Sequence, residues 1–260
     1  MNTNQPVKPN KKDVLIIGAG GVAQVVAHKC AMHNDVLGEI HIASRTKDKC
    51  DDIAQSVKEK DSFKQAAVLH THQVDAMDSQ ALVQLIKEIE IQIVINVGSA
   101  FINMTVLEAC IETGVAYIDT PPWYNNYEWQ RKERCADNNV TAILGAGFDP
   151  GMVNAYARLG YDMMDAGSVT DIDIIDINAG SHGKYFATNF DPEINFREFT
   201  GTVYSWQDSK WQSNKMFEVK RTDDLPVVGV QNSYLSGHDE VHSLSANLDV
   251  PNIRFWMGFG

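Results

Sequence analysis

The sequence predicts an α/β protein: a Rossmann doubly wound parallel sheet followed by an α+β substrate domain with a mixed or antiparallel sheet. Three observations predict it. Short apolar runs alternate with helical patterns through the first half. A glycine-rich turn, Gly18-Ala19-Gly20-Gly21-Val22-Ala23, joins the first run to the first helix. After Ser168 the alternation gives way to aromatic and β-branched runs.

The elements follow in order. Asp13–Gly18 is a short, mostly apolar run, as in a buried parallel strand, and Val22–His33 follows as a helix. Glu39–Ser44 is a second strand, Lys47–Lys60 a polar-faced helix and Ala67–Thr71 a third strand. Ser79–Glu90 carries Leu82, Leu85, Ile86 and Ile89 at helical spacing. Gln92–Val97 is a strand, and Thr105–Thr113 a helix stopped by Gly114. Ala116–Asp119, Tyr127–Asn138 and Thr141–Gly145 read as strand, helix and strand. A boundary falls near Gly147–Gly151, where GFDPG supplies two glycines and a proline. Beyond it, Asp171–Ala179 alternates acidic and apolar residues, as a half-exposed strand does, and strand-like runs recur at Phe196–Trp206, Lys215–Val219 and Ile253–Phe259. The expected organisation is a disordered leader over 1–12, a nucleotide domain over 13–150, and an incomplete substrate and dimerisation domain over 151–260.

Composition narrows the function. With 44% hydrophobic and 22% charged residues, the 260-residue chain is globular rather than disordered or coiled-coil. Lys and Arg number 22 against 34 Asp and Glu, a net charge of −12, so nucleic acid and anionic lipid are poor partners and a cationic amine is a compatible one. The polar leader lacks a signal peptide's apolar stretch, and no uninterrupted apolar run is long enough to span a membrane, which points to the cytoplasm. Cys30, Cys50, Cys110 and Cys135 each fall in a helical segment and none forms a CxxC pair, so reduced thiols are expected.

The glycine turn is a GxGxxA in the context the pattern needs, after a strand and opening a helix. Gly18 permits the tight turn, Gly20 and Gly21 leave room for a pyrophosphate, and Ala23 lets helix and strand pack closely. The helix start at Val22 presents N–H groups and a partial positive charge to the phosphates. The second strand ends Ser44-Arg45-Thr46, where a site for NAD would carry Asp or Glu. Arg45 can pair with a 2′-phosphate and the two hydroxyls can hydrogen-bond it, so the expected cofactor is NADP(H). Asn96, Val97 and Gly98, at the carboxyl end of the fourth strand, leave room for ribose and nicotinamide, although an ordinary turn reads the same. Several chemistries are excluded. No Tyr is followed four positions later by Lys, no cysteine is placed as a nucleophile, and His and Cys do not cluster at metal-ligand spacing, so no metal is expected. Hydride transfer to a C=N or C=O group remains.

GAGGVAQVVAHKC, the ASRT strand end, INVGSAF, YIDTP and GAGFDPGM together resemble the saccharopine dehydrogenase-like family. HGKYFATNFDPEINFREF, GHDEVHSL and IRFWMGF resemble its carboxynorspermidine (carboxyspermidine) dehydrogenase branch. The resemblance runs from Asp13 to Gly260 and implies NADPH-dependent condensation of L-aspartate 4-semialdehyde with 1,3-diaminopropane or putrescine, in polyamine biosynthesis. It also implies a longer chain that is homodimeric in full-length form. Within that frame, Asp149 lies just past the sixth strand and either faces the nicotinamide or amine or stabilises its turn. Asp119, at the end of the fifth strand, has the same two readings. His182 and Lys184 sit in a glycine-flanked loop, as an acid/base or carboxylate-binding pair or as solvated residues. Arg197, two residues after Asn195, either clamps the substrate α-carboxylate bidentately or forms a surface ion pair. His238 and Glu240, flanking Asp239, form an acidic patch for an amine or a helix start. Another saccharopine-type oxidoreductase, acting on an amino-acid imine, and a non-catalytic NADP-binding protein are the alternatives.

Overall fold

The computed structural model describes residues 11–60, 67–120, 130–165, 167–178, 183, 196 and 200–259. The chain divides into two compact units, Met1–Leu144 and Gly145–Gly260.

The first unit runs β1 (Lys12–Ile17), α1 (Gly21–Met32), β2 (Leu37–Ser44), α2 (Lys47–Glu59), β3 (Leu69–Gln73), α3 (Ser79–Ile89), β4 (Ile93–Asn96), a 3-10 turn (Ala100–Ile102), α4 (Asn103–Thr113), β5 (Ala116–Asp119), α5 (Lys132–Asp137) and β6 (Ala142–Ile143). Its strands form one parallel sheet in the order β3-β2-β1-β4-β5-β6. The order reverses between β1 and β4, which is where ligands bind in open α/β sheets. Strand alternation splits the core. Val14, Ile16, Ile40 and Ile42 pack with α1 and α2, while Leu15, Ile17 and Val94 pack with α3 and α4. Gly114 ends α4 with φ 71°, the left-handed cap expected of it. Strand β1 starts at Lys12, inside the stretch expected to be leader. All four cysteines are buried and free.

The second unit runs α6 (Met152–Asp162), β7 (Asp171–Asn178), β8 (Thr202–Gln207), β9 (Lys210–Lys215), β10 (Lys220–Leu225), β11 (Gly229–Ser236), α7 (Asp239–Asn247) and β12 (Asn252–Phe259). Its sheet is mixed. β12 pairs with β7 in parallel and with β11 and β8 antiparallel. Val241, Leu244 and Leu248 at and beyond α7 bury against Ile253, Phe255 and Met257 of β12. Two expected strands are corrected. Phe196 is helical and the strand starts only at Thr202. The Lys215–Val219 run is the turn between β9 and β10, apolar because Met216 and Val219 fold back onto Trp256 and Leu235. None of the described helices is long and apolar enough to cross a membrane.

A buried polar network ties β4, α4 and β5. Asn96 Nδ2 donates to Asn103 Oδ1 at 2.8 Å and to the Tyr117 hydroxyl at 3.3 Å, and that hydroxyl donates to Asp119 Oδ2 at 2.9 Å. Burial and the Asp119 carboxylate push the Tyr117 phenol far up, so it keeps its proton. Tyr117→Phe removes one donor to a fully buried carboxylate and should cost about 1–3 kcal/mol in urea denaturation. A loss within about 0.5 kcal/mol would show that this network does not stabilise the unit.

Candidate functional site

The first unit offers a candidate anion site at the start of α1. Gly18, at φ 123°, brings β1 against β4; a Cβ there would lie 3.1 Å from the Val97 carbonyl. Gly20 is the N-cap of α1, and no side chain caps the helix. A Cβ at Gly20 would meet nothing within 4 Å, so the approach is open. Gly20, Gly21 and Val22 are exposed, and their end of the helix carries its partial positive charge outward, while Ala23 is buried against the sheet. This donor set fits a pyrophosphate.

Arg45 is exposed just past the end of β2, and among the described residues its backbone carbonyl accepts from Gln73 Nε2 at 2.9 Å while its side chain has no partner. The Ser44 hydroxyl is committed to its own turn, donating to the Thr46 carbonyl and accepting from the Thr46 N–H and the Cys50 thiol. Thr46 is the N-cap of α2. Arg45 is therefore the side chain that fits a 2′-phosphate. Asn96 is fully buried, and its Oδ1 accepts from the Gly98 N–H at 3.1 Å, so it shapes the loop of Val97 and Gly98 from beneath. Asp119 is also fully buried, in the Tyr117 network.

The second unit brings Asp149 to His238 and Glu240, which lie far along the chain from it. Asp149 stands in a loop closed by Gly151, at φ 130°. Any Cβ at Gly151 would lie 2.3 Å from the Gly147 carbonyl oxygen, so only glycine closes this loop. The Met152 N–H bonds that carbonyl at 3.1 Å, and the Gly151 N–H bonds Asn154 Oδ1 at 2.9 Å. His238 is the N-cap of α7, and Glu240 lies in its first turn. The His238 ring stacks on Phe255 of β12, with centroids 4.2 Å apart. Its Nδ1 contacts Glu240 Oε2 and lies 3.4 Å from Asp149 Oδ1.

Glu240 has no exposure to water. Burial works against its charge, but the His238 hydrogen bond and Asp149 outweigh it and hold the carboxyl below its usual range. Burial also opposes charge on His238, yet Glu240, Asp149 and Asp239 push it up to about 9. Burial, then Glu240, raises Asp149 to about 8. Near neutral pH, Glu240 is therefore ionised, His238 protonated and Asp149 uncharged. Such a split of values among neighbours is what acid–base chemistry uses. Asp176 on β7, which the sequence analysis did not single out, is raised by burial and feels both His238 and Glu240. Its signal was parity: Ile172, Ile174 and Asp176 share one strand face, and the two isoleucines pack into the core. His182, Lys184, Asn195 and Arg197 lie outside the described residues.

Residues 14–143 match the family described as Saccharopine dehydrogenase NADP binding domain. The chain belongs to the saccharopine dehydrogenase family. NADP(H) is the cofactor of this family's domain, in agreement with the open glycine turn and Arg45. The chain is 40% identical, over 95% of its length, to carboxynorspermidine synthases of Vibrio alginolyticus and Vibrio cholerae. It is 36% identical, over 95% of its length, to a carboxyaminopropylagmatine dehydrogenase of Synechocystis. It spans 63% of the length of each Vibrio relative and 62% of the Synechocystis one. Among solved structures, the apo saccharopine dehydrogenase of Saccharomyces cerevisiae has the same fold, with a TM-score of 0.75 at 15% identity, covering 95% of this chain and 55% of that one.

Arg45→Ala should weaken NADPH by about 10–150-fold, the loss of a charge-assisted bond of roughly 1.5–3 kcal/mol, and leave NADH nearly unchanged in a titration. Equal losses for both nucleotides would remove Arg45 from the 2′-phosphate.

The cluster also sets a pH dependence. His238 rises from 6.5 unfolded to about 9 folded, so the folded unit holds the extra proton between those values. Its stabilisation is full below 6.5 and is lost as pH rises through about 9. Asp149, raised from 3.8 to about 8, acts in the same sense. Unfolding free energy should fall between pH 6.5 and 9, and His238→Gln should flatten that fall. A rise across this window would contradict the assignment.

Proposed function

We propose that this chain carries out, alone or as part of a longer protein, the NADPH-dependent condensation of L-aspartate 4-semialdehyde with 1,3-diaminopropane or putrescine. The product is carboxynorspermidine or carboxyspermidine, in polyamine biosynthesis. The observation that carries the reading is the Asp149–His238–Glu240 cluster, two half-buried side chains around a fully buried carboxylate, held on the same chain as an NADP-binding domain. The names of the Vibrio relatives support the product class, and that of the Synechocystis relative adds agmatine-derived amines to those worth testing.

In this reaction an uncharged amine adds to the aldehyde carbon, one proton lets the hydroxyl leave as water, and the resulting cationic C=N bond takes a hydride at carbon while its nitrogen keeps the hydrogen it already carries. Bound NADPH supplies the hydride. Asp149, uncharged near neutral pH, is the proposed donor of the proton that lets the hydroxyl leave as water. Glu240 holds His238 protonated and in place. Asp176, on the strand face of Ile172 and Ile174 and within reach of the His238 and Glu240 charges, is a proposed partner for the ammonium end of a diamine. Arg197, with Asn195, is proposed to hold the substrate α-carboxylate, because a planar guanidinium donates two parallel hydrogen bonds. His182 and Lys184 remain the proposed alternatives for that carboxylate or for proton handling.

The test follows NADPH oxidation with aspartate semialdehyde and a panel of diamines, agmatine and amino acids, on this chain and on a C-terminally extended version. Turnover should require a diamine or agmatine. Asp149→Asn should lower kcat by about 10²–10⁴-fold while NADPH affinity holds. Arg197→Lys should chiefly raise KM for the aldehyde. NADPH binding without oxidation by any amine–aldehyde pair on either version would refute the reaction and leave a non-catalytic NADP-binding protein. Turnover with amino acids alone would move the chain to another saccharopine-type oxidoreductase.

A further inference from the structure

A second titratable cluster lies in the first unit, on the two outermost strands at one side of its sheet. Glu39 and His41 are two residues apart on β2 and so stand on one face. The register pairs His41 with His70 on β3, and His72 is two residues further along. All four side chains therefore share that face. Glu39 Oε2 lies 2.9 Å from His70 Nε2 and 3.9 Å from His41 Nε2. The donor atoms of Glu39, His41 and His70 fall within 4.8 Å of one another.

We propose that Glu39, His41 and His70 form a binding site for a divalent transition-metal ion of the zinc class. One carboxylate and two imidazoles are a donor set suited to Zn2+, and ligand atoms around a tetrahedral zinc at ~2.0–2.1 Å stand roughly 3.3 Å apart. The two distances from Glu39 Oε2 bracket that spacing, and turning the exposed His70 ring out of its 4.7 Å stack on His41 would aim its lone pair at the same ion. His41 Nδ1 lies 2.9 Å from His72 Nε2. When His41 donates that Nδ1–H to His72, its Nε2 lone pair is left for the ion. A second bond of this kind is how metal-bound histidines are oriented. His41 is buried at 6% exposure, while Glu39 and His70 are exposed, so the site has one fixed ligand and an open entrance for the ion and its water. The ion would staple β3, at the end of the sheet, to β2.

The experiment is calorimetric titration of Zn2+ into chelator-stripped chain, with Co2+ absorption as a second readout. One equivalent should bind. His72→Gln, which alters the residue behind His41, should weaken binding about 10–100-fold, and Glu39→Gln and His70→Gln by at least as much. Each variant should keep the NADPH affinity of the unmutated chain, which reports that the first unit is folded. Asp149→Asn should leave the Zn2+ affinity unchanged, since the other carboxylate–histidine cluster is separate in sequence and unit. Absence of binding would overturn the proposal. So would heats insensitive to Glu39→Gln and His70→Gln, or heats lost in Asp149→Asn instead.

Discussion

Glu240 lies in the first turn of α7 with no exposure to water, and an ionised carboxylate there costs on the order of several kcal/mol unless it is compensated. Three features compensate it. The N-terminal end of α7 offers its partial positive charge. His238, one residue outside the helix, turns back and presents a protonated ring. Asp149 keeps its proton and so adds no second charge. Each requirement recruits a different part of the unit. The ring must lie flat on Phe255, which fixes α7 against β12. Asp149 must come from a loop that only a glycine at 151 can close. One buried charge thus ties a loop, a helix start and a strand paired on both sides into a single arrangement.

The first unit was legible because its physics is periodic. Buried parallel strands read as apolar runs, and helices between them carry one apolar face, so every strand and helix was placed to within a few residues wherever the structure is described. The second unit was less legible. β9 is KWQSNK and β10 is KRTDDL, and neither carries the alternation that marks a half-buried strand, because most of their side chains are solvated. The apolar Met216 and Val219 sit in the turn between them, where they cover the core from outside the ladder. α6 escaped notice because its residues bury little.

The candidate site was legible in pieces. His238 and Glu240 were read as one acidic patch because they flank Asp239, and Asp149 because it follows the last strand of a nucleotide fold. Their meeting was not readable, since it depends on a backbone angle at Gly151 and a ring stacked on Phe255. Asn96 was read as part of a strand end that leaves room for ribose and nicotinamide or forms an ordinary turn, and Asp119 as facing a ligand or capping a turn. The structure buries both among Asn103 and Tyr117, where they hold the edge rather than present themselves at it. Arg45 was readable for the opposite reason: a residue whose exposed side chain replaces an expected acid needs no tertiary information.

The two sites handle charge in opposite ways. NADP(H) is an anion approaching a chain of net charge −12, so long-range attraction is not available to it. Its binding must act locally, and the uncapped start of α1 and the exposed Arg45 guanidinium are the candidates for that. The cluster in the second unit instead sits near neutrality, because the Glu240 and His238 charges cancel and Asp149 holds a proton. Under the proposed reaction that balance changes at one step only. When Asp149 gives its proton to the departing hydroxyl, the cluster becomes negative, and the iminium it faces is the positive charge that compensates it. Proton delivery and stabilisation of the cationic C=N bond are then one event, which a permanently ionised carboxylate could not provide.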